Sequence, residues 1–181
     1  TAHHKKRRRH KHHKAREIRV EAKRRRKRQS GFEYTRAGSP HAIAESIIIK
    51  AGESVTIQGG ARMTFAAGAG IDVHGSLIIA GTDTDPVYLT AAGSTRWSGI
   101  HFFEVFDSAA TSLSFVNITG AEVGITIDRG AEFPTAKSVV VDGARKGVVV
   151  DTQKGDGLHR ITGVSAANSL DSGFTILGEV P

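Results

Sequence analysis

The 181-residue sequence contains no cysteine, one tryptophan, one methionine and four prolines. Without cysteine, neither a disulfide framework nor a thiolate-ligated metal site can be built, and the compartment stays open, because cysteine-free chains suit either redox environment. Long apolar runs are also missing. The longest, such as Ile47 to Ile49 and Val139 to Val141, are the size of strands and far short of a membrane-spanning helix, so no membrane span is expected. The chain opens on Thr1 rather than Met, as expected of a processed or excised piece, and a signal peptide upstream would not be visible.

Charge is unevenly placed. Residues 1–30 hold 15 of the 25 Lys and Arg but only two acids, Glu17 and Glu21; the other 151 residues carry 10 basic and 16 acidic side chains. The pI near 10.0 therefore describes a basic arm, and the body behind it is mildly acidic. Two blocks dominate the arm: Lys5, Lys6, Arg7, Arg8 and Arg9, then Lys23, Arg24, Arg25, Arg26, Lys27 and Arg28. Such blocks attract a polyanion, whether nucleic acid or acidic glycan, through counterion release. No aromatic lies among the first 30 residues, so base stacking is unavailable there. With so little to bury, the arm is expected to be disordered in isolation. Nothing in the body matches a nucleic-acid-binding motif.

About 150 residues remain, one domain by size. Within them "VNITGAEVGITID", Val116 to Asp128, and "VVVDGARKGVVVD", Val139 to Asp151, align without a gap. A glycine-apolar-x-apolar unit recurs at Gly70-Ile71-Asp72-Val73, Gly99-Ile100-His101-Phe102, Gly124-Ile125-Thr126-Ile127, Gly147-Val148-Val149-Val150 and Gly173-Phe174-Thr175-Ile176. Ser46-Ile47-Ile48-Ile49 is an earlier copy lacking only the glycine, and successive offsets run 24, 29, 25, 23 and 26. The paired apolar positions are all Ile, Val or Phe, which suit a pleated, half-buried surface and share one face of a strand.

A period of this length, with short strands and glycine-marked corners, predicts an all-β fold: a right-handed parallel β-helix of about six coils over residues 46–181. The expected inward rows are Ile47, Ile71, Ile100, Ile125, Val148, Phe174 and Ile49, Val73, Phe102, Ile127, Val150, Ile176. A β-sandwich also alternates with period two but has no reason to repeat a whole multi-strand unit in register. Residues 31–45 are expected to form an N-terminal cap, with Phe32, Tyr34 and Ile43 as its apolar contacts.

The run "AGAGIDVHGSLIIAGTDTDPVYLTAAGSTRWSGIHF", Ala67 to Phe102, resembles the opening coils of bacterial right-handed β-helix repeat proteins of the pectin-lyase-like superfamily. The resemblance rests on the turn from Gly75 to Thr82, the segment Asp85 to Val87 and the strand Trp97 to Phe102. It implies a secreted or cell-surface module, often without chemistry. Enzymes of that superfamily are polysaccharide lyases and hydrolases that use outward carboxylates, with calcium or as an acid and base pair. The polygalacturonase signatures N-T-D, D-D, G-H-G and R-I-K are all missing here.

Two outward columns follow from the register: Ile48, Asp72, His101, Thr126, Val149, Thr175, and Lys50, His74, Phe103, Asp128, Asp151, Leu177. Asp128 beside Asp151 is a stacked acidic pair, a candidate for acid–base work or for calcium under the enzyme reading, although aspartate after a strand also serves turns. Asp72 beside His101 is the other candidate pair for proton transfer. Trp97 is a candidate for stacking on a sugar ring, against the alternative of packing at a corner. No other cofactor or metal is implied.

These readings favour a non-catalytic β-helix scaffold, extracellular or at a bacterial cell surface, that contacts carbohydrate or protein. The alternatives are a polysaccharide lyase or hydrolase fragment and a polyanion binder acting through the arm. At the far end no segment is left to cover Phe174 and Ile176, so the expectation is a piece of a longer β-helix or end-to-end self-association.

Overall fold

The glycine-apolar-x-apolar copies fold as the strands of a single parallel sheet. In chain order these are β3 (Ile47–Ile49), β6 (Gly70–Val73), β9 (Gly99–Phe102), β11 (Val123–Ile127), β13 (Lys146–Asp151) and β15 (Ser172–Leu177), each hydrogen-bonded to the next. The computed structural model describes residues 31–104, 106–151 and 161–178. The basic arm lies outside the described residues, and so do the expectations placed on it.

Both expected rows are realised. Ile47, Ile71, Ile100, Ile125, Val148 and Phe174 stand opposite one another in turn, and so do Ile49, Val73, Phe102, Ile127, Val150 and Ile176. From Ile71 to Val150 every member of both rows is at most 2% exposed.

A second, nine-stranded sheet carries the rest of each turn. The first three turns contribute two short strands apiece: β1 (Phe32–Tyr34) and β2 (His41–Ile43), β4 (Ser54–Gln58) and β5 (Arg62–Phe65), β7 (Ser76–Ala80) and β8 (Val87–Ala91). The next two turns fuse the pair into β10 (Ser112–Thr119) and β12 (Thr135–Asp142), and the last described turn adds β14 (Val164–Ala167). The first half of β10 pairs with β7 and its second half with β8, all in parallel. The result is an all-β parallel solenoid of about five turns. The six repeat copies do not make six full turns, since the last contributes only β14 and β15 among the described residues. Residues 31–45, expected as a cap, themselves form a turn: β1 pairs with β4 and β2 with β5.

The bends recur in columns. Phe115 (φ 46°), Ser138 (φ 52°) and Gly163 (φ 72°) lie at the same point of successive turns, as do Gly120 (φ 67°), Gly143 (φ 62°) and Asn168 (φ 48°) at the next corner. The left-handed conformation costs a non-glycine residue about 1–2 kcal/mol, so Phe115 and Ser138 hold it only because the paired halves of β10 and β12 on either side require it. The repeat glycines answer a different demand. A Cβ on Gly99 would meet the Val123 carbonyl oxygen at 1.7 Å, and one on Gly147 would meet that of Gly173 at 2.2 Å. The copy that lacks glycine stands in the first turn, where the Ser46 hydroxyl accepts from the Gly70 amide at 3.1 Å.

Inside the solenoid, Val55, Ile57, Leu77, Ile79, Met63, Phe65, Val87, Leu89, Val116, Ile118, Val139 and Val141 complete one continuous apolar core with the two rows. No helix among the described residues is long and apolar enough to cross a membrane.

Candidate functional site

With the inward positions consumed by the core, chemistry is left to the outward columns of the six-stranded sheet. Their register follows the expected one: Ile48 opposite Asp72, Asp72 opposite His101, His101 opposite Thr126, then Val149 and Thr175. Backbone register settles which Cα atoms are neighbours but not which side chains meet. Here the two differ.

His101 stands beside Asp72, yet its Nε2 lies 2.6 Å from the Asp128 Oδ1, on the diagonal of the neighbouring strand. Asp128 therefore does not pair with Asp151. That carboxylate accepts from Arg129, whose Nη2 is 3.3 Å from the Asp151 Oδ1. Asp72 has no hydrogen-bond or ionic partner among the described residues. Both expected pairs are thus split: Asp128 and Asp151 each find a basic group within reach, a charge-assisted contact being favoured over two carboxylates facing each other, and His101 goes to Asp128 rather than to Asp72.

The second outward column holds a feature that spacing alone did not single out. The Phe103 ring stacks on His74 and on His101, with ring centroids 4.0 Å apart in each case and interplanar angles of 20° and 25°. Two rings cannot share one face of a third at that distance, so the imidazoles cover opposite faces of Phe103. The signal was present in the sequence: His74 and Phe103 are 29 residues apart, the same offset as Asp72 and His101. Each contact of this kind contributes about 0.5–1.5 kcal/mol. His74, Phe103, His101 and Asp128 form a half-buried strip, with His101 and Asp128 about one third exposed.

The strip holds one His–Asp pair, His101 with Asp128, and among the described residues no nucleophile is bonded to it. To bond Asp128 in its neutral form, His101 must carry its proton on Nε2, which leaves the basic lone pair on Nδ1. No hydroxyl among the described residues hydrogen-bonds to His101. No group of three or more His, Cys, Asp or Glu among the described residues is arranged to hold a metal ion.

Trp97 is fully buried and cannot receive a sugar. Its ring stacks on Phe65 at 4.3 Å, its Nε1 donates to the Thr119 carbonyl at 2.9 Å, and it occupies the corner where the next turns have Ala121 and Ala144. The carbohydrate-stacking expectation for this residue is therefore corrected: a flat apolar ring with one donor gains more from a closed corner that supplies a carbonyl than from water.

Other polar side chains also brace one turn against another. Arg145 bridges Glu122 and Asp171 on the turns to either side, Arg36 pairs with Asp85, the Gln58 amide donates to Glu33 at 2.7 Å, and the Asn168 amide donates to Asp142 at 2.7 Å. No protein-family model, no curated protein and no solved structure matches this chain.

Proposed function

We propose that this chain is a non-catalytic scaffold of the right-handed β-helix kind, secreted or displayed at a bacterial cell surface, whose outer strip is a contact surface for another protein. The observation that carries this reading is the pairing of the outward charged groups with one another. His101 with Asp128, Arg129 with Asp151, and Arg145 with Glu122 and Asp171 all join neighbouring turns. Side chains so engaged stiffen a platform, whereas a catalytic constellation keeps a base and a nucleophile free to meet substrate.

Protein is favoured over carbohydrate as the partner by the ring stack. A sugar docks on an open aromatic face, and both faces of Phe103 are occupied by imidazoles. The strip offers ring edges, two imidazoles and a carboxylate, which suit hydrogen bonding and packing against a complementary protein surface. Pull-down from the organism's envelope fraction with the intact chain, compared with a Phe103→Ala, His74→Ala double variant, tests this. Specific capture of the same partner by the wild type, lost in the double variant, is expected. Cleavage of an acidic polysaccharide by the wild type, with or without calcium, and its loss in Asp128→Asn, would replace this reading with the enzyme.

The arm supports a second reading. Fifteen basic residues among the first 30 are suited to a polyanion independently of anything the solenoid does. Binding to heparin and DNA that falls steeply with salt and disappears when residues 1–30 are removed is the expected signature. Salt-insensitive binding would reject it.

A further inference from the structure

Arg36, Arg129 and Arg145 each pair with a carboxylate, and Arg62 lies over the Tyr88 ring. Arg96 does neither. It is half-buried at the corner before β9, and its Nη1 donates to the carbonyls of Ala121, at 3.0 Å, and Gly143, at 2.7 Å, on the two following turns. These bonds hold the guanidinium by one nitrogen. The opposite edge, made of Nε and Nη2, has no partner among the described residues. That is the edge whose two parallel N–H bonds match a carboxylate.

Arg96 also lines a cleft. Gly68, Thr95, Arg96, Trp97, Ser98 and Glu122 line a shallow, open space of about 450 Å³. Its walls are fixed: Trp97 is locked in the core, the Ser98 hydroxyl donates to the Gly68 carbonyl at 2.7 Å, and the Gly68 amide donates to the Arg96 carbonyl at 3.2 Å. Glu122 lies at the cleft but bonds to Arg145, so it does not occupy the Arg96 fork. A cation held by backbone carbonyls, lining a pre-formed cleft with its bidentate edge unused, is arranged to receive an anion from outside the chain.

We infer that the Arg96 cleft is a binding site for a small carboxylate, taken bidentately by Nε and Nη2. The fork itself fits a carboxylate or a phosphate, and the Glu122 carboxylate that lines the cleft disfavours the more highly charged phosphate. The site is separate from the ring strip, and it stands whether or not the scaffold reading holds.

The test is a titration of the full chain with acetate at constant ionic strength, with chloride as baseline and inorganic phosphate as the competing chemistry, read by two-dimensional NMR. Acetate is expected to give saturable shifts of the Arg96 Nε–H and of the Gly68, Thr95 and Ser98 amides, with phosphate severalfold weaker. Arg96→Lys keeps the charge but loses the fork, and should weaken acetate at least tenfold. Because Arg96 also braces two turns, Thr95→Glu is the second variant: it is exposed, leaves the core alone, and should abolish binding by offering its own carboxylate to the fork. An unmoved Arg96 Nε–H, shifts confined to the basic arm, phosphate as tight as acetate, or binding unchanged in Thr95→Glu would each overturn the assignment.

Discussion

The copy Gly124-Ile125-Thr126-Ile127 in β11 and the copy Gly173-Phe174-Thr175-Ile176 in β15 share one alternation, yet Ile125 and Ile127 are fully buried while Phe174 and Ile176 are 48% and 72% exposed. The difference lies in their neighbours. β11 is paired on both sides, by β9 and β13, whereas among the described residues β15 stands at the edge of its sheet with β13 alone. All the exposed large hydrophobics of the described residues, Phe32, Ile48, Leu170, Phe174, Ile176 and Leu177, belong to the first or the last described turn. In a solenoid, burial is therefore conferred by the stack, and the same side chain contributes little where the stack is open on one side.

The largest expected effect comes from placing one charge in each setting. Ile125→Asp puts a carboxylate into a dry row and should destabilise by more than about 4 kcal/mol, enough to prevent folding of the domain. Ile176→Asp should cost about 0.5 kcal/mol or less, since its side chain already meets water. Urea unfolding of the two variants measures the contrast; equal losses would mean that the last turn is packed like the middle.

Glycine offers a second contrast. Gly99→Ala forces a Cβ against the Val123 carbonyl in a backbone with φ of 98°, and should cost about 3 kcal/mol or more. Gly52→Ala shares the left-handed backbone, with φ of 79°, but its Cβ meets nothing within 4 Å, so about 1–2 kcal/mol is expected. Thermal unfolding of the pair separates backbone strain from the close approach of successive turns. If both cost the same, the turns are not as close at this corner as described.

The rows of the six-stranded sheet were legible in the sequence because period-two alternation and a fixed glycine recur together, and both are consequences of stacking. The nine-stranded sheet was not. Its strands are separate in three turns and fused in β10 and β12, and the bend in the fused strands falls on Phe115 and Ser138, residues whose types do not announce a left-handed backbone. The outward columns were legible as positions only. Which strand each of Asp128 and Asp151 follows could be read from spacing, but their partners are set by side-chain reach along diagonals, which brought His101 to Asp128 and Arg129 to Asp151. Trp97 and Arg96 are neighbours in sequence with opposite fates, one closed in the core and one open to a cleft, and nothing in their order distinguishes them.

Two smaller effects sharpen the comparison of middle and ends. Arg145→Ala removes both ion pairs that tie three turns together, but its side chain and those of its partners are over 40% exposed, so solvent screening limits the loss to about 0.5–1 kcal/mol. That loss should shrink in high salt, as read by repeated urea titrations; a salt-independent loss would point to packing by the Arg145 stem. Tyr34, in the first turn, is only partly covered, and burial raises its phenol above the ordinary value of 10.0. The folded chain keeps that proton where the unfolded chain loses it. The associated stability is full below pH 10 and is lost as pH rises through the raised value. Stability measured from pH 9 to 11 should fall more steeply in the wild type than in Tyr34→Phe, and parallel profiles would show that the phenol is not desolvated.

Strand-resolved hydrogen exchange addresses the stack most directly, because each strand reports its own pairing. The slowest amides of β9 and β11 should exchange only with global unfolding, and the slowest amides of β15 at least tenfold faster. Protection in β15 equal to that in β11, or fast exchange throughout β11, would contradict a solenoid in which burial is conferred by neighbours on both sides.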